Sequence, residues 1–442
     1  MIAKLPKKAK ASIDKKILIL IIFLLIIIDI ILYILIYLQK LKELDIGITD
    51  YLQEKLINKK TNSIPFFIKV VHLLNGIYSP YLLITIMFNF FTVYDCFILS
   101  NILSIDYLIS FCLKLIYSKP TYNYLNDSTD TKKTITILYC GNGWGFPSEE
   151  CIIMASLYLS LWKIISRLSM NFNRTQKIIK NILLISLIVL LFIYNFGILL
   201  MGYYFFSHLI FSILTGLIIY FFLFEYNNID LLIPNKFILF IKNKFILVII
   251  LHLIIFIILS IIYIIERFIK NSNKYEICNS KGDKSFSKSG KDSYIDGCYS
   301  LVILFLGNIA PILGILIDIK LIYKGDESNY LQFNFPQEDE VIETGSHGSF
   351  GDSISITKET LWNKTSLFIS FLRLIIVLLF FGICFIPYFL VNLETESISI
   401  IVFIKFFLPN ILLFFGLFFF FKPILKLMKL TNYTLDSILD DR

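Results

Sequence analysis

A chain of 442 residues in which 57% are hydrophobic and only 17% charged has too few polar side chains to cover a soluble domain, and its apolar residues form runs rather than amphipathic patterns. Its net charge of +8 sits beside those runs, which leaves nucleic acid out as a partner. The seven cysteines form no C-x-x-C pair, which excludes a zinc ribbon or a thioredoxin-like centre.

A bilayer core takes roughly 20 apolar residues in a helix. In chain order, Ile17–Leu38 is the first such run; it lacks a small-residue cleavage site and reads as a retained anchor. Less even apolar stretches follow at 79–99, 101–117, 151–167, 181–200 and 207–224, and then Phe245–Ile265, Tyr299–Ile319, Phe368–Val391 and Ile400–Phe421. The expected fold is all-α, a polytopic membrane bundle of about ten transmembrane helices. Its expected parts are a basic segment, anchor helix and linker over 1–64, a helical core over 65–240, and a four-helix region over 241–442 with polar loops at 268–298 and 324–362.

Lys4, Lys7, Lys8, Lys10, Lys15 and Lys16 precede the first span, Lys163, Arg167, Arg174, Lys177 and Lys180 follow the fourth, and Lys422, Lys426 and Lys429 follow the last. Positive charge marks the cytoplasmic side. Simple alternation then makes both termini cytoplasmic and puts 39–78, 118–149, 201–207 and 268–298 on the opposite face, where Cys278 and Cys298 could pair as a disulfide. Retention of the anchor and the many spans suit the endoplasmic reticulum or another internal membrane. Of the sequons, only the one at Asn126 then faces the lumen. Expressed in microsomes, the protein is expected to carry one glycosidase-sensitive glycan that Asn126→Gln removes; a glycan at Asn173 would overturn this topology.

Gly141-Asn142-Gly143-Trp144-Gly145-Phe146-Pro147-Ser148 is the most informative string. Glycines let backbone N–H groups approach an anion, and the helix that starts behind them adds its own unsatisfied donors and the positive end of its dipole. Two other segments lie on the same expected face: Lys114-Leu115-Ile116-Tyr117-Ser118-Lys119-Pro120, and Met201-Gly202 running through His208 to Ser212 and on to Gly216.

Together these strings resemble, in order and approximate spacing, the three signatures of the type 2 phosphatidate phosphatase superfamily: K-x6-R-P, then G-F-P-S-G-H or M-P-S-T-H at a helix start, then S-R-x5-H-x3-D. The resemblance covers about 65–225, and the surrounding helices look most like the sphingosine-1-phosphate phosphatase branch. It implies a helical bundle that needs no metal or other cofactor. In that family a histidine attacks phosphorus, a second histidine protonates the leaving alcohol, and Lys and Arg hold the phosphate. Carried over, His208 is the nucleophile, Lys114 and Lys119 are phosphate ligands, and Ser148 and the backbone at Gly145 contribute further donors. The implied partners are the bilayer and a lipid phosphate; the oligomeric state is open.

Three positions depart from the family. Glu150 stands in place of the leaving-group acid, Gly202 in place of the phosphate-binding Arg, and Ser212 in place of the Asp that orients the histidine. A desolvated carboxyl can serve as an acid. The missing Arg is more serious, since losing one donor to the transition-state charge costs about 3–4 kcal/mol. Plainer roles are open to every one of these residues: His208 as an interfacial ring, Lys114 and Lys119 as snorkelling side chains, and Glu149 and Glu150 as acids favoured in any first helical turn. The competing readings are therefore a weak phosphatase, a catalytically inactive relative that binds lipid or scaffolds membrane proteins, and an unrelated transporter or receptor.

Overall fold

The computed structural model describes residues 15–38, 40–56, 79–88, 93–117, 146–168, 174–200, 204–227, 234–270, 290–321, 367–390 and 400–428. Among these residues there is no strand, so the all-α class holds. The helices are α1 Lys15–Tyr37, α2 Lys42–Leu56, α3 Ser79–Phe88, α4 Val93–Tyr117, α5 Glu149–Leu168, α6 Arg174–Leu200, α7 Phe206–Tyr220, α8 Pro234–Lys270, α9 Gly290–Leu321, α10 Leu367–Leu390, α11 Leu408–Phe419 and α12 Phe421–Leu427. Wider π turns extend α7 over Phe221–Tyr226 and lead into α11 over Ile401–Phe407.

Six helical stretches among the described residues are long and apolar enough to cross a bilayer: Lys15–Tyr37, Asp95–Ile116, Asn181–Leu200, Phe206–Tyr226, Asn243–Ile265 and Val402–Phe419. Further helices, α5, α9 and α10, occupy three of the other expected span positions. Apolar side chains on α1 and α8 such as Leu20, Phe23, Ile246 and Leu251 are about half exposed or more, the distribution expected of helix faces that meet lipid.

Two expectations are redrawn. The spans expected at 79–99 and 101–117 are instead the 10-residue α3 and the single 25-residue α4. Ser100, Asn101, Ser104 and Asp106 suggest a break in the sequence, but inside α4 they serve packing: the Ser100 hydroxyl donates to the Gly307 carbonyl, and the Ser104 hydroxyl donates 3.1 Å back to Ser100. The stretch expected to be a linker after the anchor contains the 15-residue α2.

The chain forms two compact units, Met1–His72 with Lys119–Tyr139 and Gly145–Leu231, and Leu73–Ser118 with Cys140–Trp144 and Leu232–Arg442. In the second unit α3 and α4 group with the C-terminal helices. In that second unit small residues set close helix approaches. A side chain at Gly307 would collide with Ser104, one at Gly314 would come 2.8 Å from Phe418, and one at Gly416 would come 2.5 Å from Phe380. Without a hydrophobic drive between helices in lipid, close backbone approach of this kind supplies the packing attraction. His252 of α8 lies 2.8 Å from the Val248 carbonyl and 3.1 Å from Asn308.

The first unit is organised around α5 and α7, which run parallel. Ser148, at the head of α5, donates its N–H to Ser212 at 2.8 Å. One turn along, a Cβ at Gly216 would lie 2.6 Å from the Ile152 carbonyl and 2.7 Å from Ala155. Near their C-terminal ends Lys163 and Glu225 pair at 2.7 Å, and Tyr220 donates to the same carboxylate at 3.0 Å. The parallel arrangement brings both N-termini, and hence both positive dipole ends, to one end of the unit. Antiparallel to α7, α1 is placed by Thr215 donating to Asp29 at 3.1 Å and by Tyr33 packing its ring on Phe211.

Candidate active site

Ser148 is the N-cap of α5. Its carbonyl accepts from Ile152 at 3.2 Å, and its hydroxyl accepts a long 3.4 Å bond from the Cys151 N–H, one of the donors a helix start leaves unsatisfied. The single hydroxyl proton of Ser148 has two acceptors in reach, Glu150 Oε2 at 3.3 Å and Cys151 Sγ at 3.0 Å. Cys151 in turn donates to Asn195 Oδ1 on α6 at 2.7 Å. The cap is thus tied to α6 through Cys151 and to α7 through Ser212, so that the loop entering α5 is held on two sides.

His208 lies in the first turn of α7 and is 1% exposed. Its ring sits 5.0 Å from that of Phe146 and 5.5 Å from that of Phe205, the latter perpendicular. Phe146 also packs on Phe211 at 4.6 Å and on Tyr33 at 6.0 Å. Residues 62 positions apart in the chain, Phe146 and His208, are therefore ring neighbours. Ser212, one turn beyond His208, donates to the His208 carbonyl at 2.8 Å and accepts the Ser148 N–H. Its hydroxyl proton is spent on the backbone, so it does not do what a carboxylate there would do for the imidazole.

The first unit adds a component that the motifs do not contain. Asp45 of α2 is fully buried and accepts from Ser207, at 2.9 Å from the N–H and 2.5 Å from the hydroxyl. Two turns on, Gln53 donates to the Leu200 carbonyl at the end of α6 at 2.9 Å. Asp45, Thr49 and Gln53 form a buried polar stripe at four-residue spacing, Thr49 donating back to the Asp45 carbonyl at 2.9 Å. One face of α2 thus satisfies the open ends of two neighbouring helices, an N–H at the start of α7 and a carbonyl at the finish of α6.

Of the residues singled out in the sequence, His208, Ser148 and Glu150 belong to this one end of the first unit. Lys114, on α4, belongs to the second unit, and Gly145 and Lys119 lie outside the described residues, as do Gly202 and Cys278. Sequence reasoning passed over Asp45, Asn195, Cys151 and Tyr33. A signal for α2 exists in a 15-residue stretch without proline that has good helix formers at both ends, Lys42 to Leu44 and Leu52 to Leu56. Nothing in that stretch tells that its polar stripe faces inward.

Comparison with known proteins adds one finding. The family model described as the PAP2 superfamily matches residues 95–230. No curated protein and no solved structure gives a match.

Proposed function

We propose that the protein, a membrane chain whose residues 95–230 match the family model described as the PAP2 superfamily, is a metal-independent lipid-phosphate phosphatase of low activity with His208 as nucleophile. The observation that carries the reading is the meeting of Phe146 and His208 at 5.0 Å, with the N-termini of two parallel helices at the same end of the unit. Helix starts offer unsatisfied N–H donors and a positive dipole end to a phosphate.

In this reading an imidazole nitrogen of His208 attacks phosphorus, and the bond from phosphorus to the lipid oxygen breaks. The Glu150 carboxyl gives its proton to the leaving alkoxide. Water then attacks the phosphohistidine, Glu150 takes a proton back, and inorganic phosphate leaves with His208 restored. Ser148, within 3.3 Å of Glu150, steadies the acid. Lys114, Lys119 and Gly145 enter as phosphate ligands from the sequence resemblance alone. Sphingosine 1-phosphate is the substrate this resemblance favours, and an internal membrane such as the endoplasmic reticulum is the proposed location.

A second reading, a non-catalytic relative that binds a lipid phosphate, is favoured by two observations. Ser212 is committed to backbone partners, and His208 is closed off from solvent. The deciding assay is phosphate release from sphingosine 1-phosphate and from phosphatidate by the purified protein in detergent with a chelator present. Slow release that His208→Ala removes is the expected result. Equal release by wild type and His208→Ala would transfer the function to the second reading.

A further inference from the structure

We infer that α2 is a cover over the His208 site, latched by Asp45 on the first turn of α7 and by Gln53 on the last turn of α6. The inference deepens the reading above by naming a regulator of that same site.

The latch is unusual in where it ends. Ser207 directly precedes His208, and its backbone N–H is one of the donors left over at the start of α7. Phe205, the residue in the cap position, makes no side-chain bond to those donors. Asp45 supplies the cap from another helix, with its carboxylate buried and accepting both the N–H and the hydroxyl of Ser207. An anion at a helix N-terminus is favoured by donor and dipole alike. The same physics would favour a phosphoryl group approaching His208. Asp45 therefore holds a donor that an incoming phosphate would draw on.

The rest of α2 suits a part that can lift. It is the least apolar of the helices of the first unit: Leu44 and Tyr51 point outward at 55% and 61% exposure, and its sequence carries Lys42, Glu43, Asp50, Glu54 and Lys55. Its inward attachments include the Asp45 and Gln53 hydrogen bonds to helix ends and the buried side chain of Ile46. Hydrogen bonds of this sort are exchanged for bonds to water on opening, so each contributes far less than its gross strength. A lipid phosphate that displaces Asp45 from Ser207 gains the donor and releases the cover in one step.

The test reads the cover without relying on turnover. Full-length protein in detergent is treated with diethyl pyrocarbonate, and modification of His208 is followed by peptide mass spectrometry over time. His208 of the wild type should react slowly. Asp45→Ala and Gln53→Ala should each speed its modification several-fold, and Asp45→Asn, which keeps one acceptor oxygen for Ser207 where the aspartate has two, should fall between. A thermal melt of each variant confirms folding, and if Asp45→Ala does not fold, Gln53→Ala and Asp45→Asn carry the test. Equal modification rates in wild type and folded variants would overturn the inference. Phosphate release by the same samples separates the two readings. Faster modification with raised release supports both, and faster modification with no release in any variant keeps the cover while removing the phosphatase. Release by the wild type with unchanged modification in the variants keeps the phosphatase and removes the cover.

Discussion

Replacing Gly216 with alanine should destabilise the detergent-solubilised protein by about 2–3 kcal/mol, the upper range for forcing an extra group into a packed interior. The added Cβ would stand 2.6 Å from the Ile152 carbonyl oxygen and 2.7 Å from the Ala155 side chain. Neither neighbour is the flexible tip of a long side chain, since one is helix backbone and the other is itself a Cβ. The strain is relieved only if α7 moves away from α5, and the Ser148–Ser212 hydrogen bond, one turn away at 2.8 Å, stretches with it. Gly382 in α10 is the matched control, because a Cβ there meets nothing within 4 Å. Alanine at that position should be neutral or raise stability by up to about 1 kcal/mol, through better helix propensity. Thermal unfolding of the two variants side by side measures the difference. Equal melting would mean that α5 and α7 do not pack as closely as described, and with that the pairing of Phe146 with His208 would lose its support.

Gly202→Arg is expected to raise phosphate release, and by more than any loss caused by a single substitution in a site that is already slow. In the family pattern the arginine stands six residues before the histidine, and here that place is held by Gly202 before His208. One preorganised donor aimed at developing phosphoryl charge is worth roughly 10²–10³-fold in rate. The rise should appear in kcat/KM for sphingosine 1-phosphate or phosphatidate, should survive chelator, and should vanish when His208→Ala is added. An unchanged rate would mean that 201–212 is not the third signature, whatever the likeness of its spacing.

Much of the fold was legible because transfer of backbone into lipid leaves a chain few choices. Runs such as Ile17–Leu38 and Phe245–Ile265 must be helical to satisfy their own N–H and C=O groups, and they are helices here. Errors came where polar residues lie within a helix. Ser100 and Ser104 resemble an interruption between two spans until the Gly307 backbone is seen against them. The linker that proved to be α2 was misjudged for the opposite reason. Its mixed composition resembles a solvated connection, and its buried Asp45, Thr49 and Gln53 have partners far away in the chain, on Ser207 and Leu200.

The candidate site divides along the same line. Gly141 to Ser148 and the segment around His208 could be singled out because their order and spacing resemble those of a phosphate-handling family, and both lie within the residues 95–230 that the family model matches. That Ser212 would be used for backbone bonds instead of histidine orientation depends on how α5 and α7 pack against each other. Membrane character, helical class and the identity of the motif residues were set by the sequence alone, since hydropathy and local spacing act within a few turns of chain. The parallel pairing of α5 with α7, the packing of Phe146 on His208, and the cap of Asp45 on Ser207 were decided only by tertiary structure, because each joins residues whose contact depends on shape and unsatisfied helix ends brought together from distant parts of the chain.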